Sequence, residues 1–201
     1  PPYDLEALLT EVELIIDWYA PHIGGKALSA VARAQFNTLW TRLLADIVTG
    51  PTTWTLRDFH SPNIIWLPER EGLARVGLID FQDTVLGHPA YDLAALLQDA
   101  RVTVPAELEL SLLGVYARAR RCQDPQFDVG NFAAAYAILA AQRGTKLFGT
   151  FARLAKRDGK SIYLNHLPRL RSYLVRNLAH PVLSELRLWY ETHLPALVAE
   201  S

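Results

Sequence analysis

The stretch "LRDFHSPN", residues 56–63, concentrates polar side chains between two short apolar runs. Asp58 and Asn63 lie five residues apart within it, and Asp80 lies near the end of the apolar run "ARVGLIDF" (74–81). This run is joined to the preceding run "IIWL" by the turn-like "PEREG", which predicts a β-hairpin. Because a hairpin returns the chain alongside itself, we expect Asn63 and Asp80 to lie close together, with Asp58 beside them.

Two carboxylates and a carboxamide in one place offer the oxygen ligands that suit Mg²⁺, which is usually held by one or two carboxylates together with substrate phosphates. An acid on a loop beside them can accept the proton of an attacking hydroxyl. A base aspartate, an asparagine and a metal-binding aspartate are the parts of a phosphoryl-transfer site. The residues therefore predict such a site, formed by Asp58, Asn63 and Asp80.

The remainder of the chain is predicted to be mostly helical, since apolar residues recur at helical spacing between loops that contain Pro or Gly. We expect helices at residues 5–19, 28–48, 91–100, 106–120, 132–142, 145–156, 167–178 and 182–193, and strands at 52–56, 64–67 and 74–81. The predicted fold is α+β and mostly α, a helical bundle with a small β-hairpin that carries the two polar loops. Four tryptophans on apolar faces are expected in the core: Trp18, Trp40, Trp54 and Trp66.

The overall charge is balanced, with 20 basic and 21 acidic residues and a net charge of −1. No global field therefore favours nucleic acid or an anionic membrane as a partner. The single cysteine, Cys122, cannot form an internal disulfide, and no secretory signal or membrane-spanning run is found. We expect the protein to act in the cytoplasm, without a nucleic-acid or membrane partner.

Three linked motifs resemble those of the protein-kinase-like superfamily. "LRDFHSPN" resembles its catalytic loop, H-x-D-x-x-x-x-N, in the version with a His two residues after the Asp that aminoglycoside phosphotransferases and choline kinase-like enzymes carry. "LIDFQD" (78–83) resembles their metal-binding segment, and "GHPAYDLAALL" (87–97) resembles the segment that follows. Residues 57–93 and 140–170 resemble in particular the anomeric N-acetylmuramate/N-acetylglucosamine kinases of bacterial cell-wall recycling.

The resemblance implies a protein-kinase-like C-terminal lobe and a role for each motif residue. Asp58 would orient and deprotonate the acceptor hydroxyl, while Asn63 and Asp80 would hold Mg²⁺ against the β- and γ-phosphates of ATP. Asp92 would support the backbone of the catalytic loop. His60 would either approach the transferred phosphate or pack beneath the loop. Leu56 stands where the family has a histidine, which is a scaffold residue there, so this departure alone does not remove activity.

Charge near the C-terminus bears on the substrate. Residues 143–176 contain nine basic residues and one acidic residue, Asp158, and so carry a net charge of +8. A site for a polycationic aminoglycoside should be lined by acids, whereas this segment would attract an anion such as the lactyl carboxylate of N-acetylmuramate. We expect Arg143 and Lys146 to contact the substrate. A solvated basic face, or a contact for an acidic segment, is the competing interpretation.

The chain is expected to form one kinase-like lobe over residues 1–201, with a catalytic core at 1–104 and a helical, substrate-side extension at 105–201. A phosphate-binding loop, a strand lysine and its glutamate partner, which such kinases carry in an N-terminal nucleotide lobe, are not found before Asp58. We therefore expect that lobe to be absent from this chain, and the chain alone to be inactive.

The residues also allow other functions. The acceptor could be an aminoglycoside or another small alcohol. Asp58 and His60, with His88 or Asp80, could instead bind a transition metal in a hydrolase or a non-haem iron enzyme. Finally, the polar loop could be turn chemistry in a non-catalytic, kinase-like binding module, with Asp58 and Asn63 as caps and Pro62 setting the turn.

Overall fold

The computed structural model describes residues 1–199 and has eight α-helices and four short strands within them. The helices are α1 (Leu5–Leu14), α2 (Ala20–His22), α3 (Ala30–Thr49), α4 (Ala90–Leu97), α5 (Ala106–Gln123), α6 (Val129–Arg157), α7 (Leu167–Leu178) and α8 (Ser184–His193). The strands are β1 (Thr53–Thr55), β2 (Ile64–Trp66), β3 (Val76–Leu78) and β4 (Val85–Gly87). The predicted fold, α+β and mostly helical, is confirmed.

The strands form two separate antiparallel ribbons. Strands β2 and β3 pair as the predicted hairpin, with Ile64 opposite Leu78. Strand β1 pairs with β4, with Thr53 opposite Gly87, and this pairing was not predicted because the three residues of β4 are too few to show a strand pattern. The two ribbons place residues 56–63 and residues 79–84 side by side as the connections between them.

Helix α6 is the centre of the molecule. It runs for 29 residues without a break, so the two helices expected at 132–142 and 145–156 are a single helix that passes through Gly144. Helices α1, α4 and α7 pack around it, and the core includes residues from both 1–104 and 105–201. Despite this length, no helix in the described residues is apolar enough over a sufficient stretch to cross a membrane.

The backbones of α1 and α6 touch at Gly149. A Cβ atom placed there would lie 2.2 Å from the carbonyl carbon of Leu14 and 2.5 Å from the backbone nitrogen of Ile15. At the same point α1 widens into a π-helical segment, Ile15–Tyr19, before α2 continues it. Only glycine permits this approach, which brings one face of α1 against the middle of α6.

The expectation that four tryptophans lie in the core is wrong for two of them. Trp40 is fully buried and Trp18 packs against the core, but Trp54 is 77% exposed and Trp66 is 61% exposed. Both lie on two-stranded ribbons that no other layer of the described chain covers on that side. The exposed large apolar side chains of the two ribbons and their connections, together called the hairpin surface below, are Trp54, Ile65, Trp66, Leu73, Val76, Leu78, Ile79, Phe81 and Leu86.

The glycine contact makes a direct prediction for stability. Gly149→Ala should lower the free energy of unfolding by about 2 kcal/mol or more, because the added methyl group meets backbone that cannot move aside. Gly144→Ala is the matched control in the same helix, since a Cβ atom there meets nothing within 4 Å. Gly144→Ala should leave the free energy of unfolding unchanged or raise it by up to about 1 kcal/mol, because alanine has a higher helix propensity than glycine. Urea denaturation followed by circular dichroism measures both, and equal effects would contradict the packing argument.

Candidate active site

Residues 56–63, called the 56–63 loop below, connect β1 to β2 and end in a 3₁₀ turn at Ser61–Asn63. Asn63 closes the loop on itself, because its Nδ2 donates to the backbone oxygen of Asp58 at 2.9 Å. The side chain of Asp58 is exposed at the mouth of a cavity. The side chain of Asn63 therefore fixes the loop backbone at Asp58, while the carboxylate of Asp58 stays exposed.

The hairpin brings Asn63 and Asp80 together as expected. Nδ2 of Asn63 lies 3.4 Å from Oδ2 of Asp80, and Gln82 donates to the other oxygen of the same carboxylate at 2.6 Å. Asp80 has a positive φ of 61°, which turns its side chain out of the strand direction. A carboxylate and an amide oxygen that border an open cavity leave room for waters and phosphate oxygens, so this donor set fits Mg²⁺.

Asp92 on α4 supports the start of the loop. Its carboxylate accepts hydrogen bonds from the backbone nitrogens of Leu56 at 2.7 Å and Arg57 at 3.0 Å. Burial raises the pKa of Asp92, although these two bonds favour the ionised form. The expected contact between Asp92 and the loop backbone is thus present.

Asp99 supports the other end of the loop, and the sequence did not reveal it. It is fully buried just beyond α4 and accepts hydrogen bonds from the backbone nitrogens of Ser61 at 2.9 Å and Arg101 at 2.7 Å. Burial opposes its ionisation, but these hydrogen bonds outweigh burial and lower the pKa of Asp99. Its spacing of seven residues from Asp92, two helical turns, was the only signal available in the sequence.

His60 lies beneath the loop and is 6% exposed. Burial lowers its pKa, and the neighbouring charge of Arg101 lowers it further. The Nη1 atom of Arg101 lies 3.1 Å from Nε2 of His60. Because a guanidinium can only donate, Nε2 accepts this hydrogen bond, as the unprotonated nitrogen of a neutral imidazole can. Of the two positions expected for His60, this geometry corresponds to packing under the loop.

A cavity of about 640 Å³ lies beside the loop, a volume suited to a small-molecule ligand. Asp58, Asn63 and Asp80 border it on one side, and basic residues of α6 border the other. Three of the nine basic residues of segment 143–176 line it: Arg143, Lys146 and Arg153. Others in the segment have partners elsewhere, since Arg157 pairs with Asp158 and Arg176 with Glu109.

Arg143 and Lys146 differ in how their charges are compensated. Arg143 is 5% exposed and makes only a long contact of 3.5 Å to the backbone oxygen of Gln98, and none of the ion pairs within residues 1–199 includes it. Lys146 is bound to Glu11 at 2.6 Å. The charge of Asp92 acts on Arg143 without forming an ion pair with it. A buried guanidinium without an ion-paired partner is costly, so an anionic ligand would stabilise Arg143.

The transition-metal alternative lacks its ligands. Within residues 1–199, no three His, Cys, Asp or Glu side chains come together in a way that could hold a metal ion. His88 is buried away from the 56–63 loop, with its ring stacked on Phe132 at 6.3 Å between centroids. It does not join Asp58 and His60.

A hairpin that carries an aspartate loop and a second aspartate, seated on a helical bundle, is consistent with a protein-kinase-like fold. Comparison with known families agrees, because the family described as "Phosphotransferase enzyme family" matches residues 1–128, more than half of the sequence. The chain belongs to this phosphotransferase family.

Similar proteins have been curated in several bacteria under the name N-acetylmuramate/N-acetylglucosamine kinase. The protein of Caulobacter vibrioides is 42% identical over 96% of this chain and 52% of its own length. The protein of Neisseria meningitidis is 34% identical over 88% of this chain and 52% of its own length. The protein of Pseudomonas putida is 31% identical over 92% of this chain and 54% of its own length. The chain thus spans about half the length of the curated relatives it matches.

The buried anchor of the loop gives a prediction with a defined pH dependence. Asp99→Asn should lower the free energy of unfolding by about 1–3 kcal/mol at pH 7, because the backbone N–H groups of Ser61 and Arg101 lose an ionised acceptor. The pKa of Asp99 is lowered in the folded state, so its contribution is complete above the unfolded value of about 3.9 and is lost as pH falls below it. The free energies of unfolding of the wild type and of Asp99→Asn should therefore approach each other at acidic pH.

Urea denaturation between pH 7 and pH 3.5 measures this difference. Asp83→Asn serves as the control, because Asp83 is exposed and has no side-chain hydrogen bond to the rest of residues 1–199. A difference between wild type and Asp99→Asn that stays constant down to pH 3.5 would contradict the assigned role.

Proposed function

We propose that the protein is a phosphotransferase that moves the γ-phosphate of ATP to a hydroxyl group of an amino sugar. The observation that carries this proposal is the arrangement of Asp58, Asn63 and Asp80 at one side of a cavity in a chain of the phosphotransferase enzyme family. Phosphoryl transfer needs positioned reactants and compensation of charge rather than covalent chemistry by the protein, and this arrangement supplies both.

Each site residue has a defined task in this reaction. Asp58, the exposed carboxylate of the loop, accepts the proton of the acceptor hydroxyl as its oxygen attacks the γ-phosphorus and the bond to the β-phosphate oxygen breaks. Asn63 and Asp80 would hold Mg²⁺, which when bound neutralises charge on the phosphates. Neutral His60 supports the loop from below, and Asp92 and Asp99 fix its backbone.

The substrate we propose is N-acetylmuramate or N-acetylglucosamine. The names of the curated relatives support this class. N-acetylmuramate carries a lactyl carboxylate, and the buried guanidinium of Arg143, which forms no ion pair within residues 1–199, is the group best suited to bind it. Lys146 borders the same cavity, with its charge paired with Glu11. A polycationic aminoglycoside, the alternative acceptor, would meet Arg57, Arg101 and Arg153 as well, and their repulsion disfavours it.

The hairpin surface is where we expect a nucleotide-binding lobe to pack. It exposes nine large apolar side chains on the ribbons that carry the two polar loops, and exposed apolar patches of this kind mark interaction sites. The roughly twofold greater length of the curated relatives supports such a partner.

Because the donor is ATP and Cys122 is a free thiol, we place the reaction in the cytoplasm.

Phosphate transfer from [γ-³²P]ATP to N-acetylmuramate, N-acetylglucosamine and kanamycin tests the function. The protein encoded by the complete reading frame should label an amino sugar in the presence of Mg²⁺, and Asp58→Asn should lower kcat by about 10²–10⁴-fold. Asp46→Asn, which changes an exposed aspartate of α3 that does not line the cavity, should leave kcat unchanged. Residues 1–201 alone should transfer no phosphate.

Retention of the wild-type rate by Asp58→Asn would contradict the proposal. If that variant still bound an amino sugar as wild type does while neither protein transferred phosphate, the result would favour the non-catalytic binding module instead.

Arg143 gives a test of the substrate. Arg143→Gln should raise KM for N-acetylmuramate by about 10-fold or more, the loss expected for a charge-assisted hydrogen bond, and should change KM for N-acetylglucosamine by less than about 2-fold. Arg157→Gln is the matched control, because Arg157 is exposed and paired with Asp158. Equal effects of Arg143→Gln on the two sugars would show that Arg143 does not bind the carboxylate.

A further inference from the structure

Arg57, the residue before Asp58, has a backbone conformation that favours glycine. Its φ is 66°, in the left-handed region that arginine rarely adopts. Such strain persists only where the surroundings fix the residue more than once, and it is concentrated at functional sites. Asp92 fixes the backbone of Arg57 through its N–H. The side chain makes contacts that a glycine could not make.

The side chain of Arg57 reaches away from the loop to α1. Its Nη2 donates to Oε1 of Glu11 at 2.9 Å, and its guanidinium lies over the ring of Tyr3, 5.4 Å from the centroid. Burial opposes the charge, but Tyr3 and Glu11 raise the pKa of Arg57, which stays charged. The residue next to Asp58 is thus held by its backbone on one side and by its side chain on the other.

Glu11 is the fixed point of this arrangement. Its carboxylate accepts hydrogen bonds from Arg57, from Lys146 at 2.6 Å, from Nε2 of Gln142 at 3.1 Å and from the hydroxyl of Tyr3. Burial opposes its ionisation, but Lys146 and the hydrogen bonds lower its pKa, so the carboxylate is charged at neutral pH. The neighbouring positions Leu8 and Val12 are buried in the core, which makes α1 a rigid support.

The charge of Glu11 also separates two cations. Arg57 and Lys146 both line the cavity and both bind Oε1 of Glu11. Without the negative charge between them they would repel each other, and the smaller penalty would be for Arg57 to move, because its side chain is less buried than that of Lys146. Because one peptide unit joins Arg57 to Asp58, such a movement would displace the carboxylate of Asp58.

We propose that Glu11 is a positioning residue for phosphoryl transfer, which holds Arg57 and thereby directs Asp58 toward the acceptor hydroxyl. This inference rests on the proposed function, since it requires Asp58 to be the base. It assigns a role to the ion pair between Glu11 of α1 and Arg57 of the 56–63 loop, two residues that are 46 positions apart in the sequence. Glu11 itself does not contact the reacting atoms.

The test compares Glu11→Gln with Glu13→Gln in the complete protein. Glu13 lies in the same helix and accepts from Asn37, on the side away from the loop. Glu11→Gln should lower kcat by about 10–100-fold, the effect of a misplaced base, with KM for ATP and for the amino sugar changed by less than about 3-fold. Glu13→Gln should leave both constants unchanged.

A double-variant cycle separates the route through Arg57 from the route through Lys146. Arg57→Gly should also lower kcat, and because glycine accepts the left-handed conformation without strain, this relief should offset part of the stability lost with the contacts to Glu11 and Tyr3. In the Arg57→Gly background, Glu11→Gln should then cause little further loss. An equal loss of kcat in both backgrounds would overturn the proposal and assign the effect to Lys146.

Amide hydrogen exchange provides a readout that does not depend on activity. Residues 56–63 should exchange faster in Glu11→Gln than in wild type, and Glu13→Gln should match wild type. If the wild-type protein labelled no acceptor, the proposed function would fail, and faster exchange in Glu11→Gln alone would still show that Glu11 holds the loop. Unchanged exchange, or a Glu11→Gln variant with wild-type kcat, would overturn the inference.

Discussion

The hydrogen bonds from the 56–63 loop to two carboxylates of α4 and its C-terminal flank are the constraint on which the site depends. Asp92 accepts from the start of the loop and the buried Asp99 accepts from its end. An irregular loop has few regular backbone partners, and its N–H groups must find acceptors when they are buried. One acid on α4 and one just beyond its C-terminus satisfy them, and the loop can then present Asp58 without rearranging.

Helix α6 links this loop to the rest of the site. It supplies the middle of the core, meets α1 at Gly149 without an intervening side chain, and carries Arg143 and Lys146 along the cavity wall. Because α1 is seated directly on α6, Glu11 can bind both Lys146 and the loop. The packing that stabilises the fold and the charges that surround the cavity therefore come from the same contacts.

The sequence predicted the parts of this site that depend on residues close together in the chain. The hairpin was predicted from two apolar runs and a turn, and it brought Asn63 to Asp80 as expected. Partners distant in sequence were missed: Asp99 beneath the loop, β4 beside β1, and Glu11 as the counter-ion of Lys146. An isolated acid in a helix carries no sign of what it will face, since its partner is set by tertiary packing.

The exposure of Trp54 and Trp66 could not be predicted for the same reason, since an apolar strand pattern reports a buried face without saying what covers it.

The most direct test of the account is a crystal structure of the complete protein with Mg²⁺, a non-hydrolysable ATP analogue and an amino sugar. The account predicts that Asn63 and Asp80 bind the metal ion, and that an acceptor hydroxyl lies within hydrogen-bonding distance of Asp58. A metal ion or a sugar bound away from these three side chains would contradict it.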